Sequence, residues 1–321
     1  MNARSRVVVV GGCGFIGSRL AISLASAGAD VTVLDLATPP PDLVPHCRVE
    51  ARDITVRDSL RGALEDADAV YLCAGLLAKR CDEEPERGWA VNVTGTVNVL
   101  SEALETGGRP RIVFLSSGTV YSSTTARHPV AEDAPTETRD LYTASKLAGE
   151  QIVAAAAEAG RLRAAVLRLF TVYGPGPASG RRGHFVAGWI ERAVEGVPLT
   201  VVGDGEQTVD LTHVDDVVQA CRLAATIAIS DGCRLYNVGS GTETCVRDVA
   251  RWIRLALPSL TVTTGARSAR TMLRRQFGDI SRARAELGYA PSVTPEEGIT
   301  SLLSERRERA ASPLGAVVDG A

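Results

Sequence analysis

Short, almost uninterrupted apolar runs alternate in the first half of the chain with longer stretches whose apolar positions recur every three or four residues. The runs are Arg6 to Val10, "DVTVLD" (30–35), "DAVYLCAG" (68–75), "RIVFLSS" (111–117) and "LRAAVLRLF" (162–170). Their β-branched content and lack of polar alternation predict strands buried on both faces. A shorter strand precedes Asp53 in "VEARDITVRDSL". The periodic stretches predict helices. One carries Leu20, Ile22, Leu24 and Ala25, one begins near Asn92 in "NVTGTVNVLSEALE", and one spans 140–159. This alternation through residue 170 predicts an α/β fold built on a parallel, doubly wound sheet.

The texture changes at "VYGPGPASGRRG" (172–183), a Gly/Pro-rich loop that marks departure from the first lobe. Beyond it the pattern predicts a helix over 184–197, a strand and turn within "PLTVVGDGEQTVDLTHVDDVV", and a strand in "RLYNVGSG". Further helices are predicted over 244–256 and around Ile280–Leu287. The division is 1–174 as a dinucleotide-binding lobe, with 211–240 returning to it. Residues 175–210 and 241–303 form a smaller mixed α/β lobe for substrate, and 304–321 a flexible tail.

Composition narrows the class. The 321 residues suffice for a large core, and a formal net charge of −3 without blocks of like charge argues against nucleic acid or membrane surfaces as partners. No apolar run approaches the roughly 18 residues of a membrane span. Seven scattered cysteines without a CxxC pair, and four dispersed histidines, give neither a disulfide framework nor a metal set. The expectation is a soluble cytoplasmic protein with no metal.

Two sites of chemistry stand out. The first strand runs into Gly11-Gly12-Cys13-Gly14-Phe15-Ile16-Gly17 and then a helix, the context in which a glycine pattern binds a dinucleotide. Gly11 would turn tightly, Gly14 would admit the pyrophosphate, and Gly17 would let helix pack on strand. The free amides at the helix start favour phosphate. Asp35 ends the next strand, where a carboxylate binds ribose hydroxyls and repels a 2′-phosphate, so NAD is favoured over NADP. Asp53 and Ile54 are placed for adenine, although Asp53 could equally cap a helix. The second site is "YTASKLAGE", where Tyr142 and Lys146 lie four apart and share one helical face. A nearby ammonium would bring the phenol, ordinarily near pKa 10, toward a working range. Ser117, at the end of a buried strand, could share the substrate proton.

Taken together these motifs resemble the extended short-chain dehydrogenase/reductases, in the branch of NAD-dependent nucleotide-sugar epimerases and dehydratases. The resemblance covers nearly the whole chain: "VVVVGGCGFIGSRL", "NVTGTVNVL", "SSGTVY", "YTASKLAGE", "RLFTVYGPG", "VVGDGEQTVDLTHVDDV" and "DISRARAELGYAP" occur in the family's order. It implies a Rossmann-type lobe and an enzyme in which Tyr142 is the acid/base. Lys146 would tune Tyr142 and hold the nicotinamide ribose, and Ser117 would bond the reacting hydroxyl. Gly11, Gly14, Phe15, Ile16, Gly17, Asp35, Asp53 and Ile54 would bind the dinucleotide, with Cys73, Ala74, Gly75 and Asn92 lining it. Thr119, Thr171 and Arg270 would face the sugar nucleotide. It also implies a homodimer formed through the helices holding Asn92 and Tyr142.

Within this branch the positions after the active-site serine separate reactions. Dehydratases carry an Asp-Glu pair there and decarboxylating members usually a Glu, whereas this chain has Gly118 and Thr119. The resemblance therefore implies an epimerase acting through a keto intermediate, usually at C4. A net dehydrogenase or ketoreductase, a dehydratase with carboxylates from elsewhere, and a non-catalytic dinucleotide-binding protein are the alternatives. Four positions depart from the family pattern: Thr171 for Asn, Val209 for the diphosphate-gripping Arg, Cys73 for His, and Ser122 for Gly. The missing cation could come from Arg181, Arg182, Arg267, Arg270, Arg274 or Arg275, or the substrate could carry a different leaving group.

Overall fold

Four valines in succession make β1 (Arg6–Val10) a strand with two apolar faces, and each is at most 5% exposed. Val7 and Val9 enter one cluster of the core, and Val8 and Val10 enter another on the opposite side of the sheet. This is the two-sided burial expected of a central parallel strand. The computed structural model describes residues 5–122, 129–159, 162–176, 185–227, 232–266 and 275–311.

From β1 the chain turns through its glycines into α1 (Phe15–Ser26), then β2 (Asp30–Asp35), β3 (Arg48–Ala51) and β4 (Ala69–Leu72). Two short helices, α2 (Ala78–Glu83) and α3 (Pro85–Trp89), lead to α4 (Gly95–Glu105) and β5 (Arg111–Ser117). The long α5 (Leu141–Glu158) follows, then β6 (Arg163–Leu169) and β7 (Thr171–Tyr173). The remaining elements are α6 (Phe185–Val194), β8 (Leu199–Val202), β9 (Thr208–Val209), β10 (Leu211–His213) and α7 (Val214–Ala224). After them come β11 (Gly232–Val238), β12 (Thr244–Cys245), α8 (Val246–Ala256), β13 (Val262–Gly265) and α9 (Pro295–Ala311).

Seven strands form one sheet in the order β11-β6-β5-β4-β1-β2-β3, every pair parallel. This is the Rossmann-like α/β architecture that the alternation predicts. The order reverses between β1 and β4, so the connections on either side leave in opposite directions. A crevice opens there at the carboxyl ends of the strands, the usual ligand position in such sheets. Helices α1 and α7 share the core on one face, while α4 and α5 cover the other.

A second core joins Tyr173, Val186, Ile190, Leu211, Val249, Ile253, Ile299 and Leu302 from α6, α8, α9 and the short strands. Those strands pair as β7 with β10, β9 with β12, and β8 with β13. Two expectations shift at element ends. Helical structure is already present before Asn92, in α3, and passes through a wide π turn over Ala90–Thr94 before α4. The helix taken to fray at Ser304 continues in α9 to Ala311, carrying an Arg309–Glu305 pair one turn apart at 2.8 Å. The predicted helix around Ile280–Leu287 is a π turn over Ala283–Leu287 that stops at Gly288, in the left-handed region. Among the described residues, no helix is long and apolar enough to cross a membrane.

Candidate active site

The glycine turn fits a dinucleotide on its own geometry. Gly11 has φ of +79°, and a Cβ there would lie 2.5 Å from the Ala74 backbone, so the turns after β1 and β4 touch. A Cβ on Gly17 would lie 2.3 Å from the Gly11 carbonyl. Gly14 is the N-cap of α1, offers no side-chain cap, and is followed by a first turn without acidic residues. Phe15, Ile16 and Gly17 thus begin a helix whose amino end, with its positive dipole, is left for an anion. Asp35 is fixed beside this turn: its carboxylate accepts from the Cys13 N–H at 2.9 Å and from the Ala37 N–H at 2.9 Å.

Asp53 and Ile54 follow β3, with their side chains turned to structural partners. Asp53 accepts from the N–H and the hydroxyl of Thr55 at 2.9 and 2.7 Å, holding its own turn; it caps no helix, since the helical turn Arg57–Leu60 begins at Val56 without a side-chain cap. Ile54 packs on Gly95, where a Cβ would come within 2.6 Å of its side chain, and its carbonyl accepts from Asn98 at 2.8 Å.

Around the catalytic candidates the sheet ends and α5 converge. Asp140 caps α5 through a reciprocal box with Thr143, which fixes where the first turn, and with it Tyr142, begins. Lys146, 7% exposed, donates to the Leu115 carbonyl of β5 at 2.9 Å, and its nitrogen lies 5.9 Å from the Tyr142 ring centroid. Gly75 makes room for it: a Cβ there would sit 3.1 Å from the ammonium nitrogen and 3.4 Å from Asn92 Oδ1. Asn92 accepts from the Leu76 N–H at 2.7 Å and donates to the Leu76 carbonyl and to Ser145 Oγ, at 3.0 and 2.9 Å. The π turn thereby ties the loop after β4 to the catalytic helix.

Ser117 ends β5 and favours the ionised form of the Tyr142 phenol, but burial outweighs it and pushes the phenol up to about 12. Cys81 and Asp140 push it the same way. Lys146 is not among the groups that shift this phenol: its ammonium donates one proton to the Leu115 carbonyl, and burial draws Lys146 itself down to about 8. The thiol of Cys73, held beside Lys146, is raised by burial to about 12 and is no nucleophile.

A buried ionic cluster behind the site is absent from the sequence reading. Arg168 of β6 forms a two-point pair with Glu150 of α5 at 2.9 and 2.7 Å, and Ser116 donates to the same carboxylate at 2.5 Å. The signal was present: Arg168 is a lone charge inside an apolar strand, and Glu150 lies four residues beyond Lys146.

At the sugar end, Thr119 sits in the turn Gly118–Val120, with its hydroxyl 2.8 Å from Ser117 Oγ. The Thr171 N–H donates to the Asp210 carbonyl at 2.9 Å. Val209 packs against the second core. Arg275, one candidate for the missing cation, is held by both oxygens of Glu243 at 2.7 and 2.6 Å. Arg270, Arg181, Arg182, Arg267 and Arg274 lie outside the described residues. Among the described residues, no group of three His, Cys, Asp or Glu side chains could hold a metal ion.

Comparison with known proteins agrees with this geometry. A family model described as the NAD dependent epimerase/dehydratase family matches residues 7–239. A UDP-glucose 4-epimerase of Mycolicibacterium smegmatis is 31% identical over 320 residues, covering 95% of this chain and 99% of the relative. The solved UDP-glucose 4-epimerase of Thermotoga maritima with UDP-glucose superposes with a TM-score of 0.87 at 25% identity, covering 95% of this chain and 99% of that one. The Thermus thermophilus UDP-glucose 4-epimerase in complex with NAD gives 0.82 at 28% identity, covering 96% and 100%. The chain belongs to the NAD-dependent epimerase/dehydratase family, and NAD is its cofactor.

Proposed function

We propose that the protein is an NAD-dependent epimerase that inverts a carbinol carbon, C4 in the first instance, of a nucleotide-activated sugar. The observation that carries this reading is the meeting of Ser117, Tyr142 and Lys146 at a strand end whose next residues, Gly118 and Thr119, bring no carboxylate. Dehydration and decarboxylation need a further acid or base there, whereas inversion needs only proton exchange at one hydroxyl.

In its ionised form, which Ser117 favours and burial opposes, the Tyr142 phenol takes the proton of the substrate hydroxyl. NAD, when bound, supplies the acceptor for the hydride of that carbon and the source from which it returns. Lys146 holds the ribose beside the phenol, and Thr119 orients the sugar. The resulting ketone turns over within the pocket, and Tyr142, now protonated, returns its proton as general acid. Gly11, Gly14, Phe15, Ile16, Gly17, Asp35, Asp53 and Ile54 serve the dinucleotide, with Cys73, Ala74, Gly75 and Asn92 along its nicotinamide half. The lobe built on α6, α8 and α9 takes the nucleotide sugar, with Thr171 and Arg270 assigned to its binding.

The same reading makes the protein cytoplasmic and a homodimer through the faces of α4 and α5. Its support is the exposure of Trp89 and Val97, 42% and 40%, on the helical run that carries Asn92.

The test uses purified protein, a panel of nucleotide sugars and no added cofactor, with products read by mass and proton NMR. An isobaric product with altered ring couplings is expected, and Tyr142→Phe should lose it by at least about 100-fold while keeping NAD. Loss of water would make the protein a dehydratase. Reduced cofactor appearing only with added NAD would make it a dehydrogenase, and no product at all would point, with Val209 in place of the diphosphate Arg, away from nucleotide diphosphates.

A further inference from the structure

We propose that Arg139 is a positioning residue: its guanidinium locks the turn after β5 onto the amino end of α5, so that the Ser117 hydroxyl keeps its place relative to the Tyr142 phenol. The proposal rests on the catalytic reading given above and adds a residue to it.

Arg139 stands immediately before the Asp140 cap, and its backbone N–H donates to Thr143 Oγ1 at 3.0 Å. Its main chain is therefore fixed to the first turn of the Tyr142 helix. Its side chain reaches the other way, donating to the Tyr121 carbonyl at 2.8 Å and to the Thr119 carbonyl at 2.5 Å. One planar fork thus spans the two elements whose separation sets the distance from Ser117 to Tyr142. A backbone ladder also runs along this segment. Ser122 N–H donates to the Pro135 carbonyl at 2.8 Å and Glu137 N–H to the Val120 carbonyl at 2.8 Å. The ladder reaches Val120, and the guanidinium carries the attachment one residue further, to Thr119.

Thr119 matters because of how Ser117 spends its hydrogen bonds. A serine hydroxyl has one proton and two acceptor sites. The Thr119 N–H donates to Ser117 Oγ at 3.2 Å, and the Thr119 hydroxyl stands 2.8 Å from the same oxygen. Thr119 thus holds Ser117 Oγ through two contacts and fixes where that oxygen stands, and Ser117 is the group that favours the ionised phenol. Freeing the Thr119 carbonyl loosens the turn and lets the Ser117 hydroxyl shift relative to Tyr142. The groups acting on the phenol besides Ser117 are Asp140 and Cys81, which oppose ionisation; the Lys146 ammonium stands 5.9 Å from the ring centroid. Arg139 is flanked by Glu137 at 3.9 Å, so its role is a fork of hydrogen bonds rather than a free charge.

The experiment compares NAD-loaded native protein with Arg139→Ala and Arg139→Lys. In the first assay the pH profile of kcat/KM is followed on the epimerised sugar. In the second, tyrosine labelled with carbon-13 at Cζ reports the Tyr142 titration without substrate, assigned by Tyr142→Phe. The expected result for Arg139→Ala is a loss in kcat of about tenfold with KM little changed. The Tyr142 midpoint should rise by about one pH unit, the equivalent shift. Millimolar guanidinium should restore part of both, because it can donate to the same two carbonyls. Arg139→Lys should recover less, since an ammonium cannot bridge both. An unchanged kcat and midpoint would overturn the proposal. So would a loss that follows a lower melting temperature and is not restored by guanidinium. If the native protein epimerises nothing on the panel, the functional reading fails, while the tyrosine titration still decides the role of Arg139.

Discussion

Lys146 shows most sharply how surroundings reset a side chain's chemistry. Desolvation draws its ammonium from about 10.5 to about 8, while Cys73, Cys81 and Glu150 pull the other way. Between those values the unfolded chain retains a proton that the folded chain has released, so the stability contributed by this residue rises with pH across that window. In cofactor-stripped protein, the melting temperature of Lys146→Met minus that of the native chain should therefore fall between about pH 8 and about pH 10.5. A difference that stayed flat would place the titration elsewhere. The pairing of Tyr142 with Lys146 was legible from a spacing of four. Which group the ammonium bonds was not, because the Leu115 carbonyl belongs to a strand some thirty residues earlier and a backbone acceptor leaves no trace in side-chain pattern.

At the scale of elements, the strands were readable because β-branched runs without polar alternation have few other uses. Helices α2 and α3 were not, since "AKRCDEEPERGW" carries almost no apolar period. Surface ion pairs one turn apart lace them instead, among them Arg87 with Glu84 at 2.9 Å and Lys79 with Glu83 at 3.7 Å. The π turn at Asn92 was likewise hidden, because it changes hydrogen-bond register and not residue type. Helix α5 depends on a different detail. A Cβ at Gly149 would sit 2.5 Å from the Phe114 ring, which also lies 5.4 Å from the Lys146 nitrogen. Gly149→Ala should gain helix propensity yet destabilise the protein by about 1–3 kcal/mol through overpacking against β5. Urea unfolding would measure this, and a net gain in stability would show that the ring can move aside.

Across the whole molecule, distant segments meet beside the β7–β10 pair, where Asp210 is buried. The Asp210 carboxylate accepts from the Ser240 N–H at 2.6 Å, the Gly241 N–H at 3.2 Å and the Gly278 N–H at 3.3 Å. Two segments far apart in sequence, 240–241 and Gly278, are thus drawn to one carboxylate beside Val209. Here the sequence told least: Val209 was visible as a departure, but the engagement of Arg275 by Glu243 joins positions 32 residues apart. Assembly is tested at the same scale. Trp89→Glu should convert a dimer to monomer at micromolar concentration in light scattering, with helical content retained, because a charge cannot be buried unpaired in such a contact. A dimer that persisted would move the interface away from α3 and α4.

The order of strands bears on how the chain is made. Reading β11-β6-β5-β4-β1-β2-β3 against the sequence, every strand joins an edge of the sheet that already exists when it leaves the ribosome. First β2 and β3 extend one edge; then β4, β5, β6 and finally β11 extend the other. No strand has to be threaded between two that are already paired. Parallel sheets fold slowly because their contacts are distant in sequence. A chain that grows outward from its first strand can begin its core during synthesis, with the glycine turn after β1 in place before Tyr142 has been translated.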